Sequence, residues 1–225
     1  MSQDDFAFEP IRGLPERPPE GEVILWQGQP NWLRLTVDSL NLWWVLAYFI
    51  FLFVWRFISV SDLMPFDQAL LVSFPFLALA LIVTLLLMLV GFIQAKATVY
   101  TITNKRIVMR IGAALTLTLN LPFTEIENAA IASSSKNFGS IAIDTKNDAK
   151  FSFLVLWPHV RAWHFKKPQP SLRCIPNANE VAEILTNAAK ARLIEVKDSP
   201  KKRLQNIDAV AVSYTHLTLP TKRIV

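Results

Sequence analysis

A single cysteine, Cys174, denies this sequence an internal disulfide and the sulfur ligands of a Cys₂His₂ zinc site. Cys174 itself is expected to be a small, partly buried, inert side chain. Six glycines are scattered without forming a phosphate-cradling cluster, so nothing points to a nucleotide. Of the three histidines, His216 lies in a stretch set aside below. The other two, His159 and His164, are spaced for neither a helical zinc pair nor its flanking glutamate motif. No nucleophile stands beside a base. The expectation is a protein that is not an enzyme, with no catalytic residues, no metal and no cofactor. Charge is sparse as well: Asp, Glu, Lys and Arg make up 18% of the residues against 52% hydrophobic ones, and the mean hydropathy is +0.32. That balance is too apolar for an ordinary soluble domain and directs attention to membrane segments.

Two runs account for the excess. "SLNLWWVLAYFIFLFVWRFISV", residues 39–60, is broken only by Arg56, and "ALLVSFPFLALALIVTLLLMLVGFIQ", residues 69–94, carries no charge. Each reaches the roughly 20 residues that a helix needs to cross the hydrocarbon core. Trp43, Trp44 and Trp55 lie towards the ends of the first run, where indoles favour the interface, and Arg56 can snorkel to the headgroups. Pro75 falls early in the second run, where a membrane helix tolerates it. The short link between the runs makes them an antiparallel hairpin. It holds Asp62 and Asp67 and no Lys or Arg, whereas Arg34 precedes the first run and Lys96, Lys105, Arg106 and Arg110 follow the second. The positive-inside rule therefore predicts both termini in the cytoplasm.

Residues 1–38 read as a cytoplasmic arm in which Pro10, Pro15, Pro18, Pro19 and Pro30 rule out a long helix. Within it "EVILWQGQP" predicts a short strand ending in a turn. From Ala97 the apolar residues alternate: "TVYTIT", "RIVMRIG", "LTLTLNL", "EIENAAIAS", "GSIAID" and "KFSFLVL" predict about six strands, with "TKND" as a turn between the last two. A helix follows, with Asn177 as N-cap, Glu180 three residues on, and Val181, Ile184, Leu185, Ala188 and Ala189 as its apolar stripe. Strands closed by a helix are the order of a pleckstrin-homology-like domain, here residues 97–193, followed by a polar tail over 194–211. The expected fold is thus a membrane α-helical hairpin plus a small antiparallel β-barrel or sandwich of PH-like type, closed by a C-terminal α-helix. Residues 212–225, "VSYTHLTLPTKRIV", resemble a translated transposase sequencing adapter and are set aside.

Between Lys96 and Ala211 there are 17 Lys and Arg against 9 Asp and Glu. For a domain tethered at a bilayer the near anionic partner is lipid, and nucleic acid is not expected. The stretch "LVLWPHVRAWHFKKPQP", Leu154 to Pro170, is the candidate docking surface. Trp157, His159, Arg161 and Trp163 are residue types enriched at interface hot spots, and Pro158, Pro168 and Pro170 would hold them preorganised. The alternative, with both indoles packed beneath the β-domain, is compatible with one of them being exposed.

Three blocks carry a resemblance. "FEPIRGLPERPPEGEVILWQGQPNW", "ATVYTITNKRIVMRIGAALTLTLNLPFTEIENA" and "LVLWPHVRAWHFKKPQPSLRCIPNANEVAEIL" together cover most of Phe6 to Ala191. They resemble the PuhB family of photosynthetic complex assembly proteins of purple bacteria, whose cytoplasmic part is a bacterial PH-like domain. The resemblance implies a membrane-bound factor that helps assemble the reaction centre and its core light-harvesting complex. Its expected partners are subunits of those complexes and membrane lipids, with a homodimer left open. It transfers no catalytic residue and no pigment ligand.

The hairpin topology has a direct test. A fluorescent protein that matures only in the cytoplasm, fused after Ala211, is expected to glow, and alkaline phosphatase fused there to stay inactive. The opposite pair of results would invert the hairpin.

Overall fold

The structure is a computed structural model that describes residues 10–113, 115–135, 137–146 and 152–214, with backbone alone at 133–135 and 199–214. Phe6, the tip of "TKND" with Lys150 and Phe151, and His216 with the rest of 215–225 lie outside the described residues.

The arm before the hairpin is built into the fold. Strand β1 (Ile24–Gly28) alternates half-buried and exposed positions, and it pairs antiparallel with β2 (Val99–Thr103). Upstream of it, the half-exposed Arg106 guanidinium meets the buried Glu22 carboxylate at 2.8 Å, and Asn104 Oδ1 accepts from the Val23 N–H. Gly13 packs against Val99 with a positive φ and no room for a Cβ. Residues 10–38 are therefore packed against the rest of the fold. The prolines do exclude a long helix, but an eight-residue one, α1 (Trp32–Ser39), fits behind Pro30, with Asn31 Oδ1 accepting the Arg34 N–H as its N-cap.

The hairpin is α2 (Leu42–Ser61) and α3 (Phe66–Ala97), joined by four residues. Most of its large apolar side chains are exposed, and both helices are long and apolar enough to cross a membrane. The 20 residues of α2 span about 30 Å, one hydrocarbon thickness. The 32 residues of α3 span about 48 Å, so α3 outruns the core. It is longer at both ends than the expected 69–94. Hydropathy stops at Lys96, whereas the helix stops where Thr98 turns extended. Its last turns stand beside α1: Trp32 meets Phe92 edge to face at 6.0 Å, and Leu35 packs on Ala95. Gly91 leaves the room that Thr36 fills. Small residues at buried positions of α3 (Ala69, Ser73, Ala80, Gly91, Ala95) allow such close helix contacts.

Thr98 converts α3 directly into β2. Strands β3 (Arg106–Ile111) and β4 (Leu117–Pro122) complete a sheet of order β1-β2-β3-β4. A second sheet holds β5 (Ile126–Ser135), β6 (Phe138–Thr145) and β7 (Ser171–Pro176). The two are antiparallel and do not close into a barrel. Tyr100, Ile107, Met109 and Leu121 from the first sheet and Ile141, Ile143 and Leu172 from the second fill one core. Helix α5 (Ala178–Tyr214) covers it with Val181, Leu185 and Ala188, the stripe read from the sequence. Asn177 does not cap α5 in the expected way. Its backbone is left-handed (φ 50°), its carbonyl accepts from Val181 N–H, and its amide donates to the Glu180 carboxylate at 3.3 Å.

One expected strand is absent. Phe153–Leu156 of "KFSFLVL" forms a single helical turn, α4, and the third strand of the second sheet comes instead from "SLRCIP". A short apolar run does not by itself distinguish strand from helix. The alternation of β7 was hidden by a bulge, since three steps from Leu172 to Ile175 match two from Ile141 to Gly139. Gly91→Leu is expected to wedge α1 off α3 and destabilise the protein by about 1–3 kcal/mol, read as a lower Tm in detergent. Leu89→Ala, on an exposed position, should leave Tm nearly unchanged.

Candidate docking site beside the membrane entry

The segment from α4 to β7 contains little regular structure, yet several residues pin it. Leu156 and Val160 enter the core, and Val160 bridges Pro170, closing the excursion 161–169 at its base. Arg161 N–H bonds the Gln169 carbonyl and Ser171 N–H bonds the His159 carbonyl, both at 2.9 Å.

His159 is the innermost pin. It is 1% exposed and lies between Thr98 and Tyr100. The proton order in this chain follows from its ends. Thr98 donates its hydroxyl hydrogen to Gln94 O (2.8 Å), so Thr98 Oγ1 must accept from His159 Nε2–H (2.9 Å). His159 Nδ1 then carries the lone pair and accepts from Tyr100 O–H (2.6 Å), whose oxygen in turn accepts the Arg173 N–H (3.2 Å). Every position is matched by a neutral imidazole. Burial first, and the nearby Arg173 charge second, push the His159 pKa down to about 3. Burial likewise holds the Tyr100 phenol protonated far above its ordinary range.

Arg173 is a second pin. Its Nη2 donates to Ser39 Oγ (2.8 Å) and to the Asp38 carbonyl (3.4 Å), while Nη1 reaches the Val160 carbonyl (3.4 Å). One guanidinium thus ties the loop to the corner between α1 and α2. Next to it, Cys174 occupies the bulge with a left-handed backbone (φ 51°). It turns its side chain onto Leu35 and Ala95 and its carbonyl to the Asn31 N–H. Burial raises its thiol pKa to about 12, so it is inert.

Between this corner and the loop lies a groove of about 220 Å³. Asp38, Ser39 and Asn41 wall it on the hairpin side, and Trp157, Trp163 and Phe165 on the loop side. Of the four candidate docking residues, three are presented here or beside it. Trp157 is 43% exposed and Trp163 is 84% exposed, while Arg161 is exposed with Nη1 on Gln169 Oε1 at 3.1 Å. His159 is a correction: it is sealed in the interior and cannot touch a partner. Its two ring partners lie about sixty residues earlier, so no local pattern could reveal them. His164 bonds only the nearby Ala162 carbonyl and does not converge with His159. Phe165, tilted against Phe153 with centroids 4.6 Å apart, belongs to the surface but was not singled out in the sequence, nor were Arg173 and Asp38. Trp43 and Trp44, on the first turn of α2, and Trp55 and Arg56, further along it, all point outwards.

The bacterial PH domain model matches residues 39–189, which takes in the hairpin, both sheets from β2 onwards and the start of α5. The chain belongs to the bacterial PH domain family. A Rhodobacter capsulatus protein described as an uncharacterized 23.7 kDa protein in the puhA 5′ region is 44% identical over 201 residues, covering 87% of this chain and 92% of that one. No solved structure matches. The PH domain match starts at Ser39, so β1, which completes the first sheet here, lies before it.

Acid stability follows from the buried imidazole. Between the unfolded value near 6.5 and the folded value near 3, the unfolded chain binds a proton that the native one does not, so stability falls as pH falls. From pH 7 to pH 5 His159 is expected to remove about 2 kcal/mol. His159→Gln should lower stability at pH 7 by about 1–3 kcal/mol, because Tyr100 loses its acceptor, and should flatten the acid slope. Chemical denaturation at the two pH values in detergent measures both.

Proposed function

We propose that this protein is a membrane-bound assembly factor for the photosynthetic reaction centre and its core light-harvesting complex, acting by protein–protein contact without catalysis. The observation that carries the binding role is the aromatic groove pinned by Arg173 and His159 at the point where the chain enters the bilayer. Its walls are preorganised, so a client segment orders few groups on binding. The photosynthetic setting is supported by the relative from the puhA 5′ region and by the three blocks that resemble the PuhB family. In this reading the hairpin lies in the bacterial inner membrane with both termini in the cytoplasm. It meets client helices laterally, while Trp157 and Arg161 hold a cytoplasmic segment of a reaction-centre or antenna subunit until its partners arrive. A general lipid-binding module would need an open basic pocket. Here the groove's arginine is engaged by Ser39 and the Asp38 and Val160 carbonyls, and Asp38 itself lines the groove.

The test is co-purification from detergent-solubilised photosynthetic membranes. The tagged wild type is expected to retain reaction-centre or antenna subunits. Trp157→Ala with Arg161→Ala should retain at least about tenfold less, each truncation costing about 1 kcal/mol or more at a hot spot, while staying in the membrane. Recovery of the same subunits by the double variant, with normal complex yield, would reject the docking role. Co-purification of lipid alone by the wild type would favour the lipid-binding reading.

A further inference from the structure

We propose that the tip of the 153–167 loop is a third membrane contact. Leu154, Val155, Trp163 and Phe165 would enter the headgroup layer beside α2, resting the PH domain on the bilayer as well as tethering it. This goes beyond the assembly role and does not depend on it.

Three observations carry the inference. The first is apolar exposure with no covering group in the described fold. Leu154 and Trp163 are each 84% exposed, Phe165 is 62% and Val155 is 59%. The aromatic rings form one surface: Phe165 lies tilted against Phe153 at 4.6 Å and Trp163 meets Phe165 edge to face at 6.3 Å, while Leu154 and Val155 follow Phe153 in the chain. A contiguous patch of this kind marks an interaction site, whereas a scattered exposed leucine does not.

The second is position. Trp163 and Phe165 wall the same groove as Asn41, the N-cap of α2. The Arg173 guanidinium holds the loop's Val160 carbonyl to Ser39, three residues before α2 begins. Because α2 is only as long as the hydrocarbon core is thick, Leu42 must lie at its edge, and the headgroup layer extends about 5–8 Å beyond that edge. A loop tied this closely to Asn41 stands in that layer. The patch continues the aromatic belt begun by the exposed Trp43 and Trp44 on the first turn of α2.

The third is backbone strain. Trp163 has φ 64°, a left-handed conformation that a bulky residue adopts only when its surroundings impose it. In that conformation the indole is 84% exposed, with its edge-to-face contact made to the likewise exposed Phe165. Exposed Arg161 and Lys166 flank the aromatics and match the phosphates of the same layer.

The experiment places a nitrobenzoxadiazole probe at Trp163→Cys, and separately at Phe165→Cys, in the full chain reconstituted in nanodiscs. Cys174 is fully buried, and the unsubstituted chain measures any labelling there. A probe at Asn187→Cys, exposed on α5, is the control. The loop probes are expected to emit to the blue of the control, to lose at least about half their intensity to lipids carrying a shallow doxyl group, and to be several-fold less quenched by aqueous iodide. Lipid quenching at either loop site upholds the contact. Iodide quenching equal to the control at both sites overturns it. Shielding of both sites from iodide and doxyl lipid alike overturns it too, since a second copy or another protein would then cover the patch.

Discussion

His159 stays uncharged because it is buried beside the Arg173 charge, and Tyr100 and Thr98 supply a donor and an acceptor in the one order that a neutral imidazole can use. The chain of bonds starts at the Arg173 amide in β7 and ends at the Gln94 carbonyl in the last turns of α3. It therefore links a strand of the second sheet, a strand of the first, the end of a membrane helix and the loop in one network. A buried polar group left unmatched is costly, so these four elements hold one another in register.

Around that network the junction is made by close approach. Gly91 admits Thr36, Ala95 admits Leu35, and the bulge at Cys174 brings β7 onto both helices. The excess length of α3 acquires a purpose here. Its final turns lie beyond the length that one hydrocarbon thickness would take and serve as a post against which α1 and the β-sandwich are fixed. A PH domain joined to its anchor by a continuous helix-to-strand transition has little freedom to swing. Whatever its loop presents is thus presented at a set place relative to the hairpin.

The candidate site was legible in residue type more than in role. Trp157, Arg161 and Trp163 stood out as surface residues because indoles and guanidinium groups between prolines suit an interface, and all three are exposed. His159 looked the same in the sequence and is the opposite in space. Phe165 was passed over although it stands two residues from Trp163, since a lone phenylalanine reads equally well as core. Asp38 could not be paired with Arg173 at all, the two being separated by 135 residues.

What the sequence determined by itself were features set by local length and period. Runs of twenty or more apolar residues gave helices long and apolar enough to cross a membrane, alternation gave most of the strands, and the 3.6-residue stripe of Val181, Leu185 and Ala188 gave a helix lying on a core. What only the tertiary structure decided were features set by a distant partner. The short strand expected in "EVILWQGQP" found its edge place beside β2, "KFSFLVL" failed to become a strand because β7 took the place beside β6, and His159 became a structural pin rather than a contact residue. The physical reason is common to all three. Hydrogen-bond partners and burial depend on which surfaces meet, and nothing within a few residues of a segment encodes the surface it will meet.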